Sequence, residues 1–98
     1  MINRFGERIR QLREKQNLYL RQVAPLLEMD TALLSKIENG VKQLKKEQLS
    51  ILAEVLKADK EELTTLWLAD QVENLIEGEP MANKALKTVS NNIKKIKK

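Results

Sequence analysis

The sequence predicts an all-α fold of five helices followed by an additional C-terminal helix. Apolar residues recur three and four apart in successive segments, and no stretch alternates at period two for long. The segments are separated by residues that stop or start helices, at Gln16-Asn17, Glu28-Met29-Asp30, Asn39-Gly40, Ala58-Asp59 and Gly78-Glu79-Pro80. Ninety-eight residues suffice for one modest core plus an appended segment, and there is no cysteine to form a disulfide framework.

The first helix is expected over Asn3 to Lys15, with Phe5, Ile9 and Leu12 on one stripe and Asn3 as N-cap. Arg4, Arg8, Arg10 and Arg13 take the other faces, with Glu7 and Glu14 between them. Gly6 costs the helix up to about 1 kcal/mol or permits close approach of a neighbour. The second helix is expected from about Leu20 to Leu27, carrying Val23, Ala24, Leu26 and Leu27. Pro25 within it removes one backbone hydrogen bond or imposes a slight kink. The third helix is expected over Thr31 to Glu38, with Leu34 and Ile37 inward. Asp30 suits its N-cap, and Gly40 suits the left-handed residue that closes it.

Val41 to Lys45 reads as a loop anchored by Leu44. The fourth helix is expected over about Lys46 to Lys57, with Leu49, Leu52, Ala53 and Leu56 on one face. Asp59, with Glu62 three residues on, resembles a capping box that opens the fifth helix. That helix is expected from about Lys60 to Glu77, with Leu63, Leu66, Trp67, Val72, Leu75 and Ile76 as its apolar positions. The last helix is expected from Pro80 to about Lys97. Its Ala82, Leu86, Val89, Ile93 and Ile96 form a heptad seam.

The formal charge is +4, unevenly spread. Residues 1–58 hold 11 Lys/Arg against 7 Asp/Glu, residues 59–79 hold 1 against 7, and residues 80–98 hold 6 against none. A basic front half suits a polyanionic partner, although many soluble surfaces carry such a balance. The chain has neither His nor Cys, and its carboxylates are scattered over helix surfaces. No enzyme, metal site or cofactor is expected. The N-terminus lacks the apolar core of a signal peptide, and no apolar run approaches the ~18 residues of a membrane span. A cytoplasmic location is therefore expected.

The second and third helices, joined by a short turn, make a helix-turn-helix whose second helix fits a DNA major groove. At Leu33-Leu34-Ser35-Lys36-Ile37-Glu38-Asn39-Gly40 the sequence resembles the end of the recognition helix in the phage-repressor and Cro-like (XRE) family. Leu12-Arg13-Glu14, Val23-Ala24, Leu27, Leu49, Leu52-Ala53 and Leu56 extend the resemblance over about residues 3–68. It implies a lambda-repressor-like helix-turn-helix domain over 1–68, with 69–98 as a helical extension for dimerisation. It further implies a bacterial transcriptional regulator that binds double-stranded DNA sequence-specifically as a homodimer. Repressors and restriction-modification controllers are the types expected. The alternative is an antitoxin or protein-interaction module whose C-terminal helices bind a partner protein.

The sequence departs from the family in four places. Tyr19 and Leu20 stand where Ser-Gln often opens the second helix, so a common glutamine contact to DNA is missing. Glu28 stands at the usual turn glycine, and Lys45 at the usual serine cap of the fourth helix. Ala32 and Leu33 stand where polar residues usually face the bases.

For base edges the third helix offers Thr31, Ala32, Leu33 and Lys36. Ala32 and Leu33 make only apolar contacts, which favour thymine methyls. Lys36 can donate to guanine O6 and N7 or to a phosphate. The alternative for Leu33 is burial against a neighbouring helix. For phosphates the candidates are Arg10, Arg13, Arg21, Gln22, Asn39, Lys42, Gln43, Lys45 and Lys46, with a solvated surface group as the alternative reading for each. Glu38 is expected to be structural, tying the loop to Arg13 or Lys42. For the dimer interface the candidates are Leu66, Trp67, Val72, Leu75, Ile76, Leu86, Val89 and Ile93, with Trp67 as anchor. The alternative is intramolecular packing of the last two helices. The run Lys94-Lys95-Ile96-Lys97-Lys98 either adds weak DNA affinity or is a solvated terminus complementing the acidic 59–79 segment.

Overall fold

The apolar stripes of the first five helices converge on one core. The computed structural model describes residues 2–96, excluding the side chain of Ile96. Its helices are α1 (Arg4–Lys15), α2 (Leu20–Val23), α3 (Thr31–Glu38), α4 (Leu49–Leu56), α5 (Lys60–Ile76) and α6 (Ala82–Ile96). Short 3₁₀ segments, Ala24–Leu27 and Lys46–Gln48, follow α2 and precede α4. Among the described residues there is no strand, and the fold is the expected all-α helix-turn-helix domain with an extra C-terminal helix.

The core takes Phe5 and Ile9 from α1, Val23 from α2, Ala24 and Leu27 from the first 3₁₀ segment, and Leu34 and Ile37 from α3. Leu44 enters it from the loop, as do Leu49, Leu52, Ala53 and Leu56 from α4 and Leu63 from α5. Fully burying such a side chain contributes about 1.5–3 kcal/mol, so this cluster dominates the stability of the domain. Among the described residues no helix is long and apolar enough to cross a membrane.

Several local expectations change. The second helix is not α-helical through Leu27. It stops at Val23, and the chain tightens into a 3₁₀ turn with Pro25 in its opening positions, where the missing N–H costs little. Glu28 then adopts the left-handed conformation, with φ 56° and ψ 43°. The Glu28 and Met29 amides donate back to the carbonyls of Pro25 and Ala24 at 3.0 and 3.1 Å. A non-glycine residue in this conformation costs about 1–2 kcal/mol, and the closed turn offsets that cost. The fourth helix likewise begins as a 3₁₀ turn, becomes α-helical at Leu49, and ends on a left-handed Lys57. Glu62 does not complete a capping box. Asp59 accepts from the Glu61 amide at 3.1 Å, and Glu62 pairs with Arg8 at 3.1 Å.

Asn3 does not cap α1 with its side chain. Its amide reaches across to donate to the Glu38 carbonyl at 2.9 Å. The start of α1 is held instead by Asp70 of α5, which accepts from the Phe5 amide at 2.8 Å and from Arg4 at 3.2 Å. Arg4 also pairs with Glu73. The Asn74 side chain accepts from the Ile2 amide at 3.0 Å and donates to the Ile2 carbonyl at 3.3 Å. Position 68 lies within a continuous α5, tied to Arg4 and Phe5 of α1 through Asp70 and Glu73 and to Ile2 through Asn74. Residues 77–81 separate α5 from α6. Beyond them every described residue from Asn83 to Lys95 is exposed. Lys97, Lys98 and the side chain of Ile96 lie outside the described residues.

Candidate nucleic-acid interface

The site is α3 with the segments on either side of it. Asp30 opens the helix, its carboxylate accepting from the Leu33 amide at 2.7 Å. Leu34 and Ile37 are buried, so the helical period turns Thr31, Ala32, Leu33 and Lys36 to solvent. Leu33 is 37% exposed, which places it on the surface at the helix start rather than in the core. Asn39 follows as the exposed C-cap, and Gly40 takes φ +79°.

The far end of α3 is pinned by a buried ion pair. Arg13 Nε donates to Glu38 Oε2 at 2.7 Å, and Nη2 donates to Oε1 at 3.0 Å. The third guanidinium nitrogen donates to the Leu18 carbonyl at 2.8 Å. The hydrogen bond with Glu38 raises the Arg13 pKa above its ordinary value despite the opposing desolvation. Gly6 permits the close approach of α1 to this end. A Cβ there would stand 2.3 Å from the Glu38 carbonyl oxygen. Arg13 is thus a correction to the phosphate-contact set: it is buried, and all three nitrogens are engaged inside the domain.

The loop after α3 folds back on it. The Val41 and Lys42 amides both donate to the Lys36 carbonyl, at 2.8 and 3.2 Å. Leu44 is buried, and its carbonyl accepts from the Trp67 indole at 2.7 Å. Between these fixed points Lys42 and Gln43 are exposed, and Lys45 and Lys46 follow, also exposed. These side chains can therefore reach phosphates while their backbone is held.

At the start of α2 the Gln22 side chain accepts from the Tyr19 amide at 2.7 Å, a cap that leaves the glutamine NH₂ free to donate outward. The Arg21 guanidinium lies 4.4 Å from the centre of the Tyr19 ring. That contact restrains Arg21 on the surface. Arg10 is exposed and pairs with Glu14 at 3.3 Å, an exposed pair that offers little resistance to exchange for a phosphate.

Two residues expected at a dimer interface pack against the core. Trp67 and Leu66 are partly buried against it, and the Trp67 N–H is spent on Leu44. Ile76 is half-buried. Val72, Leu75, Leu86, Val89 and Ile93 are exposed, and Leu75 reaches 80%. Sequence reasoning missed Gln48, which ties the turn of the motif by donating to the Leu27 carbonyl at 2.8 Å, and Tyr19, which holds Arg21. Nothing at Gln48 signals its partner, whereas an aromatic two residues before an arginine at a helix start is a readable hint for Tyr19.

Taken together, the capped and pinned α3, its exposed outer face and its basic flanks define a helix-turn-helix DNA-binding domain. The helix-turn-helix domain family matches residues 4–66, and the chain belongs to that family. Comparison with curated proteins and with solved structures gave no match.

Proposed function

We propose that the protein is a transcriptional regulator of the phage-repressor and Cro-like type, recognising double-stranded DNA by sequence as a homodimer. The observation that carries this reading is the outward face of α3. Thr31, Ala32, Leu33 and Lys36 are exposed on a helix fixed at its start by Asp30 and near its end by Arg13 and Glu38. A helix held at both ends presents its side chains to a groove in one register, as base readout requires. Lys36 contributes charge and donors. Ala32 and Leu33 favour thymine methyls. Arg10, Arg21, Gln22, Asn39, Lys42, Gln43, Lys45 and Lys46 are the phosphate contacts. Repression by covering a promoter is the simplest output, as in a repressor or a restriction-modification controller, and such a regulator works in the cytoplasm.

Selection of bound duplexes from a random pool tests the proposal. The expected product is a near-palindrome whose half-sites lie about one helical turn apart, roughly 10 bp. No enriched sequence would remove the reading. An enriched sequence unchanged by both Leu33→Ala and Lys36→Ala would assign the wrong reading face.

The exposed apolar residues of α5 and α6 also suit a module that binds another protein, as an antitoxin does. Sedimentation of the isolated chain separates the two. A discrete dimer supports the regulator, and a monomer or aggregate supports the partner-binding module.

A further inference from the structure

Residues 2–5 form a strap between α5 and the end of α3. The Asn74 side chain of α5 accepts from the Ile2 amide at 3.0 Å and donates to the Ile2 carbonyl at 3.3 Å. Asp70, one turn earlier on α5, accepts from the Phe5 amide at 2.8 Å. Between these two fixed points the Asn3 side-chain amide donates to the carbonyl of Glu38, the last residue of α3, at 2.9 Å. Asp70 satisfies the start of α1, and Asn3 is thereby released from capping it. Hydrogen bonds thus run from α5 through the strap to the point where the chain leaves the recognition helix.

Gly6 and Gly40 make room for the Asn3 side chain. Gly6 lies on α1, and Gly40 lies in the turn after α3. A Cβ at Gly6 would collide with Asn3 Oδ1 as well as with the Glu38 carbonyl. A Cβ at Gly40 would stand 2.8 Å from Asn3 Cγ and 2.9 Å from Oδ1. The same side chain therefore packs against the turn after α3 and hydrogen-bonds to its first carbonyl.

That turn leads into the basic loop. The Val41 and Lys42 amides both close on the Lys36 carbonyl, and Leu44 is the next buried residue. A polar cleft of about 180 Å³ lies between the loop and α5, with Ile2, Asn3, Gly40, Lys42, Asp70 and Asn74 in its lining. Asn3 reaches the start of the loop across this cleft. A backbone held in place beforehand lowers the entropy lost when a side chain such as Lys42 is ordered on a phosphate.

We infer that Asn3 is a positioning residue for DNA binding. Held to α5 through Asp70 and Asn74, the strap lets Asn3 fix the turn that carries Lys42, and so sets the grip of Lys42 on the phosphate backbone. Asp30 and the Arg13–Glu38 pair fix the body of α3, so Asn3 governs that grip and not the bases read. This role rests on the DNA-binding reading above and names what sets its affinity.

A double-mutant cycle between Asn3→Ala and Lys42→Ala tests it. Fluorescence anisotropy over a salt series follows binding, and circular dichroism checks folding. The probes are the duplex selected from a random pool and a duplex of scrambled sequence. Asn3→Ala should weaken binding to both about three- to tenfold, the scale of one hydrogen bond. It should lower the salt slope toward that of Lys42→Ala, about 0.9 below wild type, and leave the selected sequence unchanged. The double variant should bind within about twofold of Lys42→Ala alone, because a residue that acts through Lys42 then has nothing to position. The same cycle with Asn74→Ala, which frees Ile2 from α5, should show smaller losses that again fail to multiply. In hydrogen exchange, Asn3→Ala should open the Val41 and Lys42 amides several-fold while the amides of α4 keep their wild-type rates.

Wild-type binding by a folded Asn3→Ala variant overturns the inference. So does a double variant whose loss is the product of the two single losses, and so does exchange that rises equally in α4 and the loop. If the wild type binds both duplexes alike, the sequence-specific reading falls and the cycle still decides the role of Asn3. If it selects a sequence and the losses multiply, the reading stands and this role falls. A protein that binds no duplex overturns both.

Discussion

Breaking the buried pair between Arg13 and Glu38 is the sharpest test of which basic residues face DNA. Two charge-assisted hydrogen bonds, 2.7 and 3.0 Å, join side chains that are 11% and 6% exposed. Removing one partner of a buried pair costs about 3–5 kcal/mol, because the other charge is left without its counter-ion. Glu38→Ala strands the guanidinium against the core and frees the end of α3. At about 4–8 °C per kcal/mol for a domain of this size, its melting temperature should fall by at least about 12 °C. Arg13→Ala should fall as far, since it also strips a 2.8 Å donor from the Leu18 carbonyl. The double variant Arg13→Met with Glu38→Leu removes both charges and should recover most of the loss.

Thermal unfolding by circular dichroism measures these shifts, and fluorescence anisotropy against salt measures the DNA side. A phosphate contact contributes about 0.9 to the slope of log affinity against log salt. The double variant, folded and lacking Arg13, should keep the wild-type slope. A fall of about one unit would refute the structural role given to Arg13 and return it to the interface. A double variant as unstable as the single ones would refute the argument from stranded charge.

Gly6→Ala should destabilise the domain by about 2 kcal/mol in urea unfolding despite alanine's better helix propensity, because the new Cβ meets the Glu38 carbonyl oxygen at 2.3 Å. Trp67→Phe should cost about 1–2 kcal/mol, since the Leu44 carbonyl loses its 2.7 Å donor, and should leave the sedimentation mass unchanged. Lys42→Ala should weaken binding to all duplexes alike and lower the salt slope by about 0.9, with the selected sequence unchanged. Arg21→Ala should behave in the same way, and Tyr19→Ala should have a smaller effect of the same kind through loss of the ring beneath the guanidinium.

Residues 30 to 40 show why part of this protein is legible from its sequence. Asp30 caps α3 through an amide three residues away, Leu34 and Ile37 face inward by period, and Gly40 closes the helix by its own conformational freedom. Each of these effects acts within about one helical turn, so the information lies in neighbouring residues. The same holds for the amphipathic pattern of α6, which is present whether or not anything covers it. Pro25 shows the limit of local reasoning: its position in the second helical segment was readable, but the switch to 3₁₀ geometry followed from the closed turn at Glu28.

Other assignments depend on partners far along the chain. Arg10 and Arg13 are the same residue type three positions apart. One is exposed and the other buried, because Glu38 arrives beside only one of them. Trp67 fits a core as well as an interface by its chemistry, and its hydrogen bond to the Leu44 carbonyl fixes it against the core. Asn3 looks like a cap, yet Asp70, 65 residues beyond Phe5, holds the helix start and leaves Asn3 to bind Glu38. By itself the sequence determined that the chain is helical, about where its helices break, and which face of α3 turns to solvent. Only the tertiary structure decided which charges are paired inside the domain and that α5 is tied back to the start of α1. Burial and pairing are set by groups that the chain brings together after the helices form, and a residue's own identity does not encode its distant neighbour.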